Sequence, residues 1–174
     1  NTYGDVDALR KKFLAAARRD DIAAVSIASR PDCFGPEVID MIKDIIAVKP
    51  VWIELGLQTA NDRTAQLINR CYDISVYDET MNRLRELGVH IIVHMIIGLP
   101  GETKEDMIDT VRYIVRSGAN GIKLQLLHVL RGTVLEEMYE EGVFRALTFD
   151  EYADILCDCL KAVSYTHLRA HETR

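Results

Sequence analysis

The amino-acid sequence predicts an α/β fold, with about four parallel strands and flanking helices. Three observations carry the prediction. Short apolar runs alternate with amphipathic stretches as far as residue 163, the pattern of βαβ units joined by right-handed crossovers. The run Ile91–Ile97 is apolar on both faces but for His94, as a helix-covered strand of a parallel sheet requires. Each strand-like run also places a few polar residues at alternate positions, so one face is apolar and the other is not.

An amphipathic helix spans Asp5–Arg19, with Leu9, Phe13 and Ala16 on one face and Asp5 able to cap its start. Ile22–Ala28 is the first strand. Pro36 suits the first turn of the next helix, whose face is Val38, Ile39, Ile42, Ile45 and Ile46. Val51–Leu57 is the second strand, and Asn61 or Asp62 caps a short helix ending near Arg70. Ser75 with Asp78 resembles a capping box for a helix over Val76–Leu87, closed by Gly88. The third strand, Ile91–Ile97, enters a Gly-Leu-Pro-Gly turn. Thr103 then caps Lys104–Arg116, with Met107, Ile108, Val111, Ile114 and Val115 inward. The fourth strand is Ile122–Leu127. Helices over Thr133–Glu140 and Thr148–Val163 follow, the second with Thr148 and Glu151 as its capping box.

Alternation decides which side chains share a face. Trp52, Glu54, Gly56 and Gln58 fall together on the second strand, and Ile92, His94, Ile96 and Gly98 on the third. Lys123 and Gln125 oppose Ile122, Leu124 and Leu126 on the fourth, while Ser26, Ala28 and Arg30 align on the first. Buried ions are costly unless paired, so Glu54, His94 and Lys123 must meet each other, a ligand or water. A barrel with a wet upper lumen satisfies that demand better than a sheet covered on both faces. Glu54, Gln58, His94 and Lys123 are therefore expected to converge at the carboxyl ends of the strands, where α/β folds place ligands.

The bulk numbers set limits. The 174 residues suffice for one domain with a real core. Formal net charge is −6, which argues against a broad nucleic-acid face. No apolar run approaches the about 20 residues that span a bilayer. The start, Asn1 to Asp7, is polar and unlike a signal peptide. Cys33, Cys71, Cys157 and Cys159 show neither disulfide nor zinc spacing. A cytoplasmic protein without membrane partners is expected. The opening Asn1 and the loss of apolar periodicity after residue 163 suggest a fragment: residues 1–163 form the domain, and residues 164–174 a non-native or disordered tail. His167 and His171 in that tail have helical metal spacing but no second ligand pair.

Among the motifs, GLPGE (98–102) is by itself an ordinary strand–helix turn, and Glu102 has the plain role of complementing a helix dipole. ELGLQTAND (54–62) is more specific, because Gln58 can donate and accept at once, which suits a ribose or amino-acid group. Arg30 and Asp32 in SRPDC suit a ligand contact and a mutual ion pair about equally. Arg70 alone reads as a solvated helix-end charge, and His128 as either loop packing or the mouth of a site. Cys157 and Cys159 lie roughly 200° apart on a helix and cannot grip one metal.

Taken together, SRPDC, WIELGLQTAND, LINRCYD, HMIIGLPGE and GIKLQLLHVLRGT resemble the radical S-adenosylmethionine (SAM) superfamily. The likeness is to the branch of the elongator-type tRNA-modifying and oxygen-independent coproporphyrinogen dehydrogenase enzymes, and to an uncharacterised bacterial group related to them. It covers residues 1–163. The resemblance implies a partial (β/α)6 TIM-like barrel in which a 4Fe-4S cluster, held by three cysteines, cleaves SAM reductively to a 5′-deoxyadenosyl radical. It also implies an external electron donor such as flavodoxin or ferredoxin, and, by analogy only, a tRNA substrate. Gln58 and Arg70 match SAM-contacting positions, and His94 stands where the branch has aspartate. Glu54, Arg30, Gly98 and His128 complete the expected cofactor rim. The cysteine triplet is absent and is expected upstream, so the fragment alone is expected to be inactive. Two other readings stay open: a non-radical β/α barrel binding a small anion through Arg30, Lys123 and helix N-termini, and an inactive partial translation product.

Overall fold

The structure, a computed structural model, describes residues 2–171, with side chains through residue 163. Helix α1 (Val6–Ala17) starts where Asp5 accepts the Ala8 N–H at 2.7 Å. It is followed by β1 (Val25–Ser29), a 3-10 turn over Pro31–Cys33, and α2 (Pro36–Ile46). Next come β2 (Val51–Gln58), α3 (Asp62–Leu67), α4 (Ile74–Glu86), β3 (His90–Ile97) and α5 (Lys104–Arg116). The chain closes with β4 (Gly121–Leu126), α6 (Val134–Glu140) and α7 (Phe149–His171). The strands form one parallel four-stranded sheet in the order β1-β2-β3-β4, the α/β architecture expected from the alternation. β1 pairs with β2 from Val25 opposite Val51 to Ser29 opposite Leu55.

Three boundaries differ from the sequence reading, each for a local reason. β1 begins at Val25 and not at Ile22. Its first sheet bond runs from Val25 N–H to the Pro50 carbonyl, and Pro50 has no N–H with which to extend the ladder backwards. α4 begins at Ile74, with Asp73 extended before it, so Ser75 lies inside the first turn and the expected Ser75–Asp78 box does not form the cap. α7 runs to His171 and not to residue 163. The side chains of residues 164–171, and residues 172–174 altogether, lie outside the described residues, and the expected tail falls there. The caps at Asn61, Thr103 and Thr148 are as expected. Asn61 accepts from the Arg63 and Thr64 N–H groups. Thr133, read from the sequence as the first residue of its helix, stands instead just before α6 and accepts the Glu136 N–H. The Thr103–Asp106 and Thr148–Glu151 pairs close their helices reciprocally.

Two compact units make up the chain. The first comprises Asn1–Leu57, Tyr72–His94 and Ser117–Lys123. Its core is the apolar face of β1, β2 and the start of β3 (Ile27, Ile53, Leu55, Ile91, Val93) under Met41, Ile42 and Ile45 of α2 and Tyr77, Met81 and Leu84 of α4. Met41 is fully buried and Ile39 and Ile46 only partly, so the stripe of α2 sits slightly round from the expected one. The second unit comprises Gln58–Cys71, Met95–Arg116 and Leu124–Arg174. Met95, Ile97, Met107, Val111 and Ile114 form its core, with Ile155 and Cys159 of α7, which packs on α5.

A polar rim in each unit

In the first unit, alternation along β2 and β3 leaves Glu54 and His94 half-buried on the polar face. His94 Nε2 lies 2.8 Å from Glu54 Oε2. Ser26, diagonal to Glu54 across the parallel pair, donates its hydroxyl to Oε1 at 2.9 Å, and Lys123 Nζ approaches Oε2 at 3.4 Å. The Ser26 hydroxyl foremost, then His94 and Lys123, hold the Glu54 carboxyl below its ordinary value. The expected meeting of Glu54, His94 and Lys123 is therefore present. Ser26 joins it, and the sequence signalled this only by placing Ser26 on the polar face. Arg30 forms a two-point ion pair with Asp32 at 2.9 and 2.7 Å and lies 5.5 Å from the centre of the Tyr72 ring. The mutual ion pair thus accounts for SRPDC. With Lys123 beside Glu54, neither cation offered for a small anion stands without a carboxylate.

In the second unit, β2 ends at Gln58 with a backbone φ of +71°, the left-handed region that a residue with a side chain rarely occupies. The Gln58 Oε1 atom is buried and has no hydrogen-bond partner among the described residues. The next residues are tied down at every step. Arg70, 6% exposed, donates Nη1 to the Thr59 carbonyl at 2.7 Å and has Nη2 3.7 Å from Asp62. Ala60 N–H donates to Thr110 Oγ1 at 3.1 Å, and Asn61 Nδ2 to Asp106 at 3.2 Å. The Thr59 hydroxyl accepts the Asn61 N–H at 2.9 Å and donates to Glu102 Oε1. Arg70 is not the solvated charge that its place near a helix end suggested. It is a buried brace. Nor does Glu102 merely face the start of α5. Burial, reinforced by the Asp106 charge, pushes its carboxyl up against the opposing Thr59 and Thr64 hydroxyls, and its Oε2 has no hydrogen bond of acceptable geometry among the described residues. Neither Thr59 nor Thr110 stands out in the sequence as a site residue. The signal for Thr110 was a hydroxyl in the apolar stripe of α5 between Met107 and Ile114.

Gly98 has φ +92°, and a Cβ there would stand 3.0 Å from Leu147 Cδ1. The bare backbone expected at the end of β3 is thus occupied by the protein's own leucine. His128 is exposed beyond β4. No group of three or more His, Cys, Asp or Glu among the described residues could hold a metal ion. No helix among them is long and apolar enough to cross a membrane.

The family model described as the radical SAM superfamily matches residues 1–114. The chain belongs to the radical SAM superfamily. A second model, the radical SAM C-terminal domain, matches residues 119–169. Among curated relatives, the uncharacterized protein YtqA of Bacillus subtilis is 40% identical over 163 residues, covering 94% of this chain and 51% of its own length. The chain thus spans about half the length of the curated relatives it matches. Among solved structures, Elp3 of the archaeon Methanocaldococcus infernus superposes with a TM-score of 0.77 at 18% identity, over 91% of this chain and 42% of that one. Coproporphyrinogen III oxidase (HemN) of Escherichia coli, a radical SAM enzyme, gives 0.74 at 18% identity, over 95% and 38%. At that identity the likeness shows the shared fold of radical SAM barrels.

Proposed function

We propose that this chain supplies the SAM-contacting rim of a radical SAM enzyme. The observation that carries the reading is Gln58, whose buried amide oxygen, at the carboxyl end of a strand, has no partner among the described residues. A buried acceptor left unmatched is costly, and a hydroxyl or ammonium group of a bound SAM would satisfy it. In this reading Gln58 contacts the cofactor directly and Arg70 braces its loop. In the other unit Glu54 orients His94 through Nε2, and no cofactor contact is assigned to that pair. Arg30 and Gly98 are engaged by Asp32 and Leu147, and no contact is assigned to them.

The residues present do not fit a 4Fe-4S cluster, since no thiolate set is assembled among the described residues. We place the cluster ligands elsewhere in the protein. When bound at a reduced cluster, SAM supplies a 5′-deoxyadenosyl radical, a chemistry that belongs to the cofactor. A small electron-transfer protein such as flavodoxin or ferredoxin would supply the electron.

The test is to express the protein at the length of its relatives and reconstitute it anaerobically with iron and sulfide. With dithionite and SAM it should release 5′-deoxyadenosine, and Gln58→Ala should raise the SAM concentration required. A colourless product that leaves SAM intact overturns the reading.

A further inference from the structure

The loop that carries Gln58 is held in a backbone conformation it would not choose. Left-handed φ at a residue with a side chain persists only where its surroundings over-determine it. Three of the ties on this loop are unremarkable, because each pairs a neutral or cationic donor with an acceptor and leaves nothing stranded. The fourth is different. Glu102 brings a carboxylate to Thr59, uses one oxygen, and leaves the other buried near the Thr64 hydroxyl without a hydrogen bond of acceptable geometry among the described residues. For stability alone such a carboxylate is a poor choice. Nor is it needed to start α5, because Asp106 already takes the Thr103 N–H at 2.8 Å and its hydroxyl at 2.6 Å. What Glu102 does achieve is to orient the Thr59 hydroxyl. With Oγ1 accepting the Asn61 N–H and its proton committed to Glu102, the residue after Gln58 has a single side-chain arrangement. Thr59 is 1% exposed, so no water competes for either bond.

We propose that Glu102 is a positioning residue that acts through the Thr59 hydroxyl to fix the turn aiming the Gln58 amide. The inference rests on the reading of Gln58 as a cofactor contact. Its structural half stands on the hydrogen bonds alone. Glu102 touches no cofactor in this scheme. It sets the angle at which Gln58 is presented.

The experiment has two arms, the first of them on the 174-residue chain. In the first, amide hydrogen exchange is followed at Ala60 and Asn61. Glu102→Ala should speed Asn61 exchange by about five- to tenfold, the loss of one hydrogen bond, while amides in the middle of α5 keep their rates. Thr59→Val should do the same, and the double variant should be no worse than either single one. Glu102→Gln keeps an acceptor and should restore exchange to within about threefold of the parent. In the second arm, SAM binding is measured by calorimetry on the anaerobically reconstituted protein at the length of its relatives. Glu102→Ala should weaken it by about the factor seen for Gln58→Ala, and Glu102→Gln should recover most of the loss. Unchanged Asn61 exchange in Glu102→Ala overturns the proposal, whatever happens to binding. Faster exchange with unchanged SAM affinity overturns it as well, because the turn would then not aim a contact. If the reconstituted parent of that length binds no SAM while exchange responds as expected, the cofactor reading of Gln58 fails and the backbone role of Glu102 stands.

Discussion

His94 Nε2 lies 2.8 Å from Glu54 Oε2, and that one carboxylate also takes the Ser26 hydroxyl and the approach of Lys123 Nζ. Three donors from three other strands are thus gathered on a single acceptor residue. Glu54→Ala should leave His94 unoriented and destabilise the chain by about 2 kcal/mol, the value of about one charge-assisted hydrogen bond. Scanning calorimetry against the parent checks this, with His94→Ala giving a loss of similar size.

The same carboxyl has a pH signature. Its folded value is depressed, so its contribution to stability is present above the ordinary glutamate value of 4.5 and is lost as pH falls through the depressed value. Urea unfolding across that acid range should show a steeper loss for the parent than for Glu54→Gln. Parallel curves would count against the network.

Glu102 should behave in the opposite sense. Burial raises its folded value, so stability is greatest below the ordinary 4.5 and declines as pH rises through the raised value. The difference in unfolding free energy between the parent and Glu102→Gln should therefore move in favour of the variant as pH rises from acid to neutral. A difference independent of pH would show that the carboxyl is not strained by burial.

Gly98→Ala should destabilise the chain by about 1–3 kcal/mol, because it combines a positive φ with a close approach to Leu147. Leu147→Ala should relieve only the steric part, so the double variant stays below Leu147→Ala alone. Denaturant midpoints read this directly.

Arg70→Ala should cost about 2 kcal/mol, since it strands the Thr59 carbonyl in a buried loop. Arg70→Lys should recover little, because an ammonium cannot span the Thr59 carbonyl and Asp62 as the planar guanidinium does. Thermal unfolding of both variants checks the order.

Much of the fold was legible in the residues. The faces of β2 and β3 followed from strict alternation, and the caps at Asn61, Thr103 and Thr148 followed from side chains within three residues of the bonds they make. The Ser75–Asp78 pair shows the limit of such signals. The same spacing fits a helix beginning two residues earlier, and the extended backbone at Asp73 selected that frame. At the rim, Glu54, His94 and Lys123 were expected together because each was too polar for its place. Glu102 was read as an ordinary dipole partner because its true neighbour, Thr59, lies 43 residues away in sequence.

By itself, the sequence determined the strand–helix alternation, the polar face of each strand and the family likeness, because these depend on spacing along the chain. The tertiary structure alone decided that Ser26 joins Glu54, that Leu147 covers Gly98, and that Glu102 and Arg70 converge on Thr59. Those contacts join residues far apart in the chain, and only strand register and helix packing bring them within bonding distance.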